Sequence, residues 1–178
     1  MLKRLRRFQR AREGLAAVEF ALVAPLLIAL FFGAIELTQA VDCRSRVNDV
    51  AATAADLVAQ ETSVSNSDMS NVFAALNSIM YPFADSGAQI VITSLVDSGN
   101  AGSAKVAWSD EQNSTARTVN ATVAIPAGLI TAGSGGSVIM AEVTYTYTSP
   151  TMVFLTGGIT MTATFYSKPR RSLTVTHS

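Results

Sequence analysis

The side chains that could do chemistry are few. The chain has one histidine, His177, and one cysteine, Cys43, among 178 residues. A Ser-His-Asp or Cys-His site would have to be built on His177, one residue from the end, where chain termini usually fray. A single cysteine allows no intramolecular disulfide and no zinc cluster. Cys43 reads as a small apolar helix residue rather than a redox centre, since nothing beside it marks an activated thiol. An intermolecular bridge in an oxidising compartment stays open. Asp97, Asn100 and Ser103 suggest a cation loop only loosely, because their spacing fits no calcium template and a turn accounts for them. The sequons at Asn113-Ser114-Thr115 and Asn120-Ala121-Thr122 are short enough to arise by chance. The expectation is a protein that is not an enzyme, with no cofactor and no metal.

What remains is Gly14 and Glu19. Glu19 lies inside an apolar run, and a carboxylate at the centre of a bilayer costs about 2.5–3.5 kcal/mol on translocon scales. Near the edge the cost falls, and the side chain can snorkel to the interface. Glu19 stands four residues past Leu15, about 6 Å along a helix axis. Gly14 lacks a side chain, which lets another backbone approach it closely. The plainer reading of Gly14 is a break between two segments. Glu36, at the far end of the run, is expected at the outer interface and is given no role.

The element that positions these residues is the run itself. Phe20 to Ile35 carries no charge, and extending it to Leu15–Leu37 adds only Glu19 and Glu36. Roughly 20 apolar residues cross about 30 Å of hydrocarbon as a helix, so the run is long enough to span. A cleaved secretory signal would have only about 7–15 apolar residues; the length, and the unbroken helical pattern that follows, favour a retained helix. The formal net charge of zero hides an asymmetry. Residues 1–14 hold six Lys/Arg against Glu13, and the remainder keeps seven against twelve acids, 7 − 12 = −5. The basic leader places the N-terminus in the cytoplasm and the C-terminal part across the membrane. No nucleic-acid partner is expected.

Basic leader, Gly14, four residues, then Glu19, Phe20 and an apolar helix: this order resembles the processing site of type IV prepilins. The wording Gly14-x-x-x-Val18-Glu19-Phe20-Ala21-Leu22-Val23-x-Pro25 more narrowly resembles the TadE family, the minor pilins or pseudopilins of the bacterial tight-adherence (Tad) pilus. The resemblance implies cleavage between Gly14 and Leu15 by a prepilin peptidase. It also implies that Glu19 pairs with the α-amino group of a neighbouring subunit, and that Phe20 belongs to the same motif. The implied partners are that peptidase, other Tad pilins, the inner-membrane assembly platform and membrane lipid.

Past Leu37 the helix is expected to continue. Ala40, Val41, Val47, Val50, Ala51, Ala54, Leu57 and Val58 recur at three- and four-residue steps. One helix from Leu15 to about Gln60 would be about 69 Å long, with Pro25 removing one hydrogen bond on the way. Thr62 to Ser70 reads as a loop, with Ser67 or Asp68 capping a helix over about 69–80 that Tyr81-Pro82 stops. From Gln89 the period becomes two. Ile90, Ile92 and Val96 form one run, Val106 and Trp108 a second, and Ala121, Val123 and Ile125 a third. Ile139 to Tyr147 and Ile159 to Tyr166 follow, alternating strictly, which predicts antiparallel strands with one wet face. The reading is an α+β fold: leader 1–14, transmembrane helix 15–37, amphipathic continuation 38–60 and periplasmic domain 61–178. The function expected is that of a non-enzymatic minor pilin or pseudopilin in Tad pilus assembly. The alternative is an uncleaved single-pass protein whose β-domain binds a ligand or envelope partner.

Overall fold

The computed structural model describes residues 13–83 and 87–178. Residues 1–12 of the basic leader therefore lie outside the described residues. The first element, α1, is one unbroken helix over Glu13–Ala59 that passes through Pro25. Its 47 residues make a rod of about 70 Å at 1.5 Å per residue.

The two halves of α1 have different surroundings. From Gly14 to Phe31 almost every residue is exposed, including Leu15, Val18, Phe20, Leu22, Leu26, Leu27, Ile28 and Leu30. Further on, Ala40, Cys43, Val47, Val50, Ala54 and Val58 are buried at three- and four-residue steps, the spacing of one helix face. Small residues at Ala51, Ala54, Ala55 and Ala59 let the sheet come close. Val41 is 63% exposed, contrary to the expected stripe. It stands one residue off the buried row, on the side of Arg44 and Asn48, and Cys43 takes the place assigned to it. Leu57 is only half-buried for the same reason.

The stretch after α1 is more ordered than its polarity suggests. Ser63–Val64 forms a short strand, β1, and α2 runs over Asn66–Met80. Its cap is Ser65, not Ser67 or Asp68. The Asp68 backbone N–H donates to Ser65 Oγ at 3.3 Å, and the Ser65 N–H donates to Asp68 Oδ2 at 2.9 Å. This is a capping box, with Asp68 at the third helical position. The Ser65 hydroxyl and N–H hold the Asp68 carboxyl below its ordinary range. Met69, Phe73, Leu76 and Met80 turn inward. Tyr81, extended before Pro82, ends α2 as expected.

Five strands follow: β2 Gln89–Asp97, β3 Ser103–Gln112, β4 Thr122–Ala124, β5 Ser137–Tyr147 and β6 Ile159–Ser167. They form one antiparallel sheet in the order β4-β3-β2-β5-β6. The fold is α+β, with the C-terminal half of α1 packed across β5 and β6. One face of the sheet, through Ile90, Ile92, Ile139, Ala141, Val143, Tyr145 and Tyr147, joins α1 and α2 in the main core. The loop Asp97–Gly102 is a turn and not a cation site: Asp97 Oδ1 and Oδ2 accept from the N–H groups of Gly99 and Gly135 at 2.7 and 3.1 Å. These donors hold its carboxyl below the ordinary range.

The opposite face departs from the single wet face expected. Leu95, Ala104, Val106, Ile125, Ile130, Val138 and Met140 form a second apolar cluster there. The segment from Ile125 to Gly136 folds over that end of the sheet, so β5 is buried on both sides from Ser137 to Ala141. Val106 and Trp108 do not share a face. Ser94 pairs with Trp108 but Leu95 pairs with Val106, and this bulge inserts one residue that turns Val106 to the second cluster.

The C-terminus is tied down rather than frayed. β7, Thr176–His177, pairs parallel with β1. Trp108 Nε1 donates to the Val175 carbonyl at 2.7 Å, and the Ser178 N–H donates to the Val64 carbonyl at 3.0 Å. Arg170 pairs with Asp56 of α1.

Candidate functional site

At the N-terminal end the backbone is already helical at Gly14. A side chain built there would meet nothing within 4 Å. Leu15, Glu19 and Phe20 are exposed, and among the described residues Glu19 has no hydrogen-bond or ion-pair partner. Leu15 and Glu19 lie one turn apart on the same side of the helix. The predicted processing and assembly residues Gly14, Leu15, Glu19 and Phe20 are thus brought together only as successive positions on one bare helix.

The far end of the apolar run is different. Glu36, given no role from the sequence, is 1% exposed. Its carboxylate is enclosed by the segment after β5. Oε1 accepts from the Thr151 hydroxyl and from the Val153 N–H at 2.7 Å, and Oε2 accepts from the N–H groups of Phe154 at 3.0 Å and Leu155 at 2.8 Å. Three successive backbone N–H groups converging on one anion make a nest. The turn that forms it puts Met152 at φ +48°, a left-handed conformation that residues other than glycine seldom adopt. Ser149 Oγ accepts weakly from the Met152 N–H at 3.4 Å and also contacts Thr151 Oγ1. One turn further along α1, Gln39 Oε1 accepts from the Tyr147 hydroxyl at 3.2 Å. A Cβ at Gly33 would lie 3.4 Å from the Phe154 ring, so that ring rests on α1 where the helix has no side chain.

This arrangement ties one segment of the chain to another. Each carboxylate oxygen already has two donors. The sequence held one clue: an acid at the end of an apolar helix needs donors, and 143–167 has no charged residue to supply a cation. Backbone N–H groups were the remaining source, and periodicity does not reveal them.

The other reactive groups stay apart. Cys43 is buried in the helix–sheet core, where desolvation pushes its thiol up to about 11. The His177 ring packs on Trp108 with centroids 5.3 Å apart, and its Nε2 lies 3.7 Å from Asp110 Oδ2. Among the described residues no three His, Cys, Asp or Glu side chains gather as a metal site. A cleft between α1 and the end of β5 is lined by Gln39, Asp42, Phe83, Tyr145 and Tyr147. It offers no acid–base pair facing a nucleophile.

The helix is the part of the chain that can be matched to known proteins. Residues 14–56 match the family model described as TadE-like protein. No curated protein and no solved structure matches the chain. The match begins at Gly14, runs the length of the bare half and ends in the buried half of α1. The resemblance read from these residues thus holds over 14–56, and over this helix the chain is similar to the TadE-like family.

Proposed function

We propose that the protein is a minor pilin or pseudopilin of a Tad-type pilus system. In this reading it sits in the bacterial inner membrane with its leader in the cytoplasm and its sheet domain in the periplasm. A prepilin peptidase cuts between Gly14 and Leu15, and the processed helix packs beside those of other Tad pilins at the assembly platform. The protein performs no catalysis of its own.

The observation that carries this reading is the bare apolar stalk that begins at Gly14, within a TadE-like match that begins at the same residue. Moving an apolar side chain out of water is worth roughly 1.5–3 kcal/mol when burial is complete. Ten large ones stand exposed between Leu15 and Phe31. Such a surface needs lipid or other helices around it. One helix of this length and composition fits a single-pass membrane protein. Glu19 has no partner among the described residues, and in this reading it meets an α-amino group on another subunit.

The test is the N-terminus of the protein recovered from membranes of a host that carries the peptidase. Sequencing should read Leu-Ala-Ala-Val-Glu, and intact mass should lack residues 1–14. Retention of Met1 there would refute the processing step and leave a single-pass membrane protein with an uncut leader.

A further inference from the structure

We propose that Thr151–Leu155 is a second membrane contact, in which Met152, Val153 and Phe154 enter the outer leaflet beside α1 and Glu36 holds them there. This rests on the reading that α1 spans the bilayer.

Depth along the helix is the first argument. With Leu15 at the inner edge of the hydrocarbon, Gly33 lies about 27 Å along the axis and Glu36 about 32 Å. The hydrocarbon is about 30 Å thick, and a tilt of about 20° lowers both positions further. The Phe154 ring, seated at Gly33, is therefore level with the outermost acyl carbons. Glu36 is level with the boundary.

Composition is the second. Met152, Val153 and Phe154 are 52%, 49% and 55% exposed. They are three adjacent apolar side chains at the tip of one segment, which water would not favour. No charged residue lies between Glu142 and Lys168, so nothing in this stretch resists the interface.

The third argument is the backbone. Irregular chain is excluded from hydrocarbon because its N–H groups would go unpaired. Here the N–H groups of Val153, Phe154 and Leu155 all have a partner, and that partner is Glu36. The same bonds solve the converse problem, a carboxylate at the end of an apolar helix. Each side makes the other tolerable at this depth, and together they lower the end of the sheet onto the membrane. The carboxylate and the loop would not need one another if this end of the domain stood clear in water.

Site-directed spin labelling of the full chain tests this. With Cys43→Ala, single cysteines are placed at Val153, at Leu27 in the stalk and at Asn100 in an exposed turn far along the chain. The protein is reconstituted in vesicles of phosphatidylethanolamine and phosphatidylglycerol. Collisions with oxygen report lipid and collisions with a nickel chelate report water. Position 153 should behave like 27, open to oxygen and closed to nickel, but shallower; position 100 should be open to nickel. If 27 reads lipid while 153 is as open to nickel as 100, the inference is overturned and the spanning helix stands. If 27 reads lipid and 153 is closed to both reagents, protein covers the loop, and the inference is again overturned. If 27 is open to nickel, the spanning reading itself fails. Glu36→Gln replaces one acceptor with a donor facing N–H groups, so the label at 153 should lose its lipid signature; an unchanged depth would show that Glu36 is not the holder. Should the cysteine at 153 prevent folding, Met152→Trp gives a second readout: quenching by brominated lipid supports the contact, and its absence overturns it.

Discussion

Glu19→Ala separates two accounts of the one exposed acid in the stalk. Glu19 is four residues past Leu15, about 6 Å along the axis, so in a 30 Å slab it sits about 9 Å from the midplane. Its cost in lipid is therefore below the roughly 2.5–3.5 kcal/mol of a central carboxylate. It has no partner among the described residues, so the substitution removes no contact among them. If Glu19 merely tolerates the membrane, the alanine variant inserts as well as the parent or better and assembles normally. If Glu19 pairs with a neighbour's Leu15 amine, the variant leaves a charge unpaired in lipid. Truncating one member of a buried pair costs about 2–5 kcal/mol, or roughly 30-fold or more in association at each contact. The expected result is a protein that is inserted and cleaved at parental levels. It no longer co-purifies with other pilins from mild detergent, and the cells carry fewer pili. Glu19→Gln keeps the size and loses the charge, and should share the defect. Cleaved, inserted Glu19→Ala protein that supports normal piliation would refute the pairing argument.

Gly14→Trp should leave the leader attached, seen as an uncut intact mass, while the sheet domain folds as before, because a side chain at that position meets nothing within 4 Å; normal cutting of the variant would refute the role given to Gly14. A phosphatase reporter fused after Ser178 should be active, as the basic leader requires; activity only of a reporter that needs the cytoplasm would reverse the topology. Burial pushes the Cys43 thiol up to about 11, so at pH 8 about one molecule in a thousand is thiolate. Maleimide should label it far more slowly than an Asn48→Cys thiol on the exposed side, and labelling at equal rates would show that the core opens there. Trp108→Phe leaves the Val175 carbonyl without its donor and should cost about 1–3 kcal/mol, read as earlier thermal unfolding in detergent and faster tryptic cutting at Arg170 and Arg171.

The helix was legible because its information is local. Charge-free length, the Gly14-to-Glu19 spacing and the three-and-four stripe are all visible without knowing what lies nearby, and α1 follows them from Glu13 to Ala59. The strands were legible in outline for the same reason. What escaped depended on contacts distant in sequence. The bulge that turns Val106 away from Trp108 is set by how β3 registers on β2. The second apolar cluster exists because Ile125 and Ile130 fold back over Val138 and Met140. The fraying expected at His177 fails because Val64, more than a hundred residues earlier, offers it a strand to pair with. Glu36 belongs to this class: its donors lie 115 to 119 residues away, and most of them are backbone groups that any sequence possesses.

The two acids of the apolar run show why position alone did not assign their roles. Both interrupt the same charge-free helix, and both were weighed from the sequence by distance from its ends. In the fold they differ in donors. Glu36 has four from its own chain and is complete. Glu19 has none among the described residues. The consequence is geometric. The loop held by Glu36 begins to cover α1 near Phe32 and Gly33. That leaves Leu15 to Phe31 bare, 17 residues or about 25 Å of rod, which is slightly less than the hydrocarbon thickness. A neighbouring helix approaching from the side of the loop can therefore lie along the stalk only over that length. An anchor at Glu36 limits the surface on which any partner of Glu19 must dock.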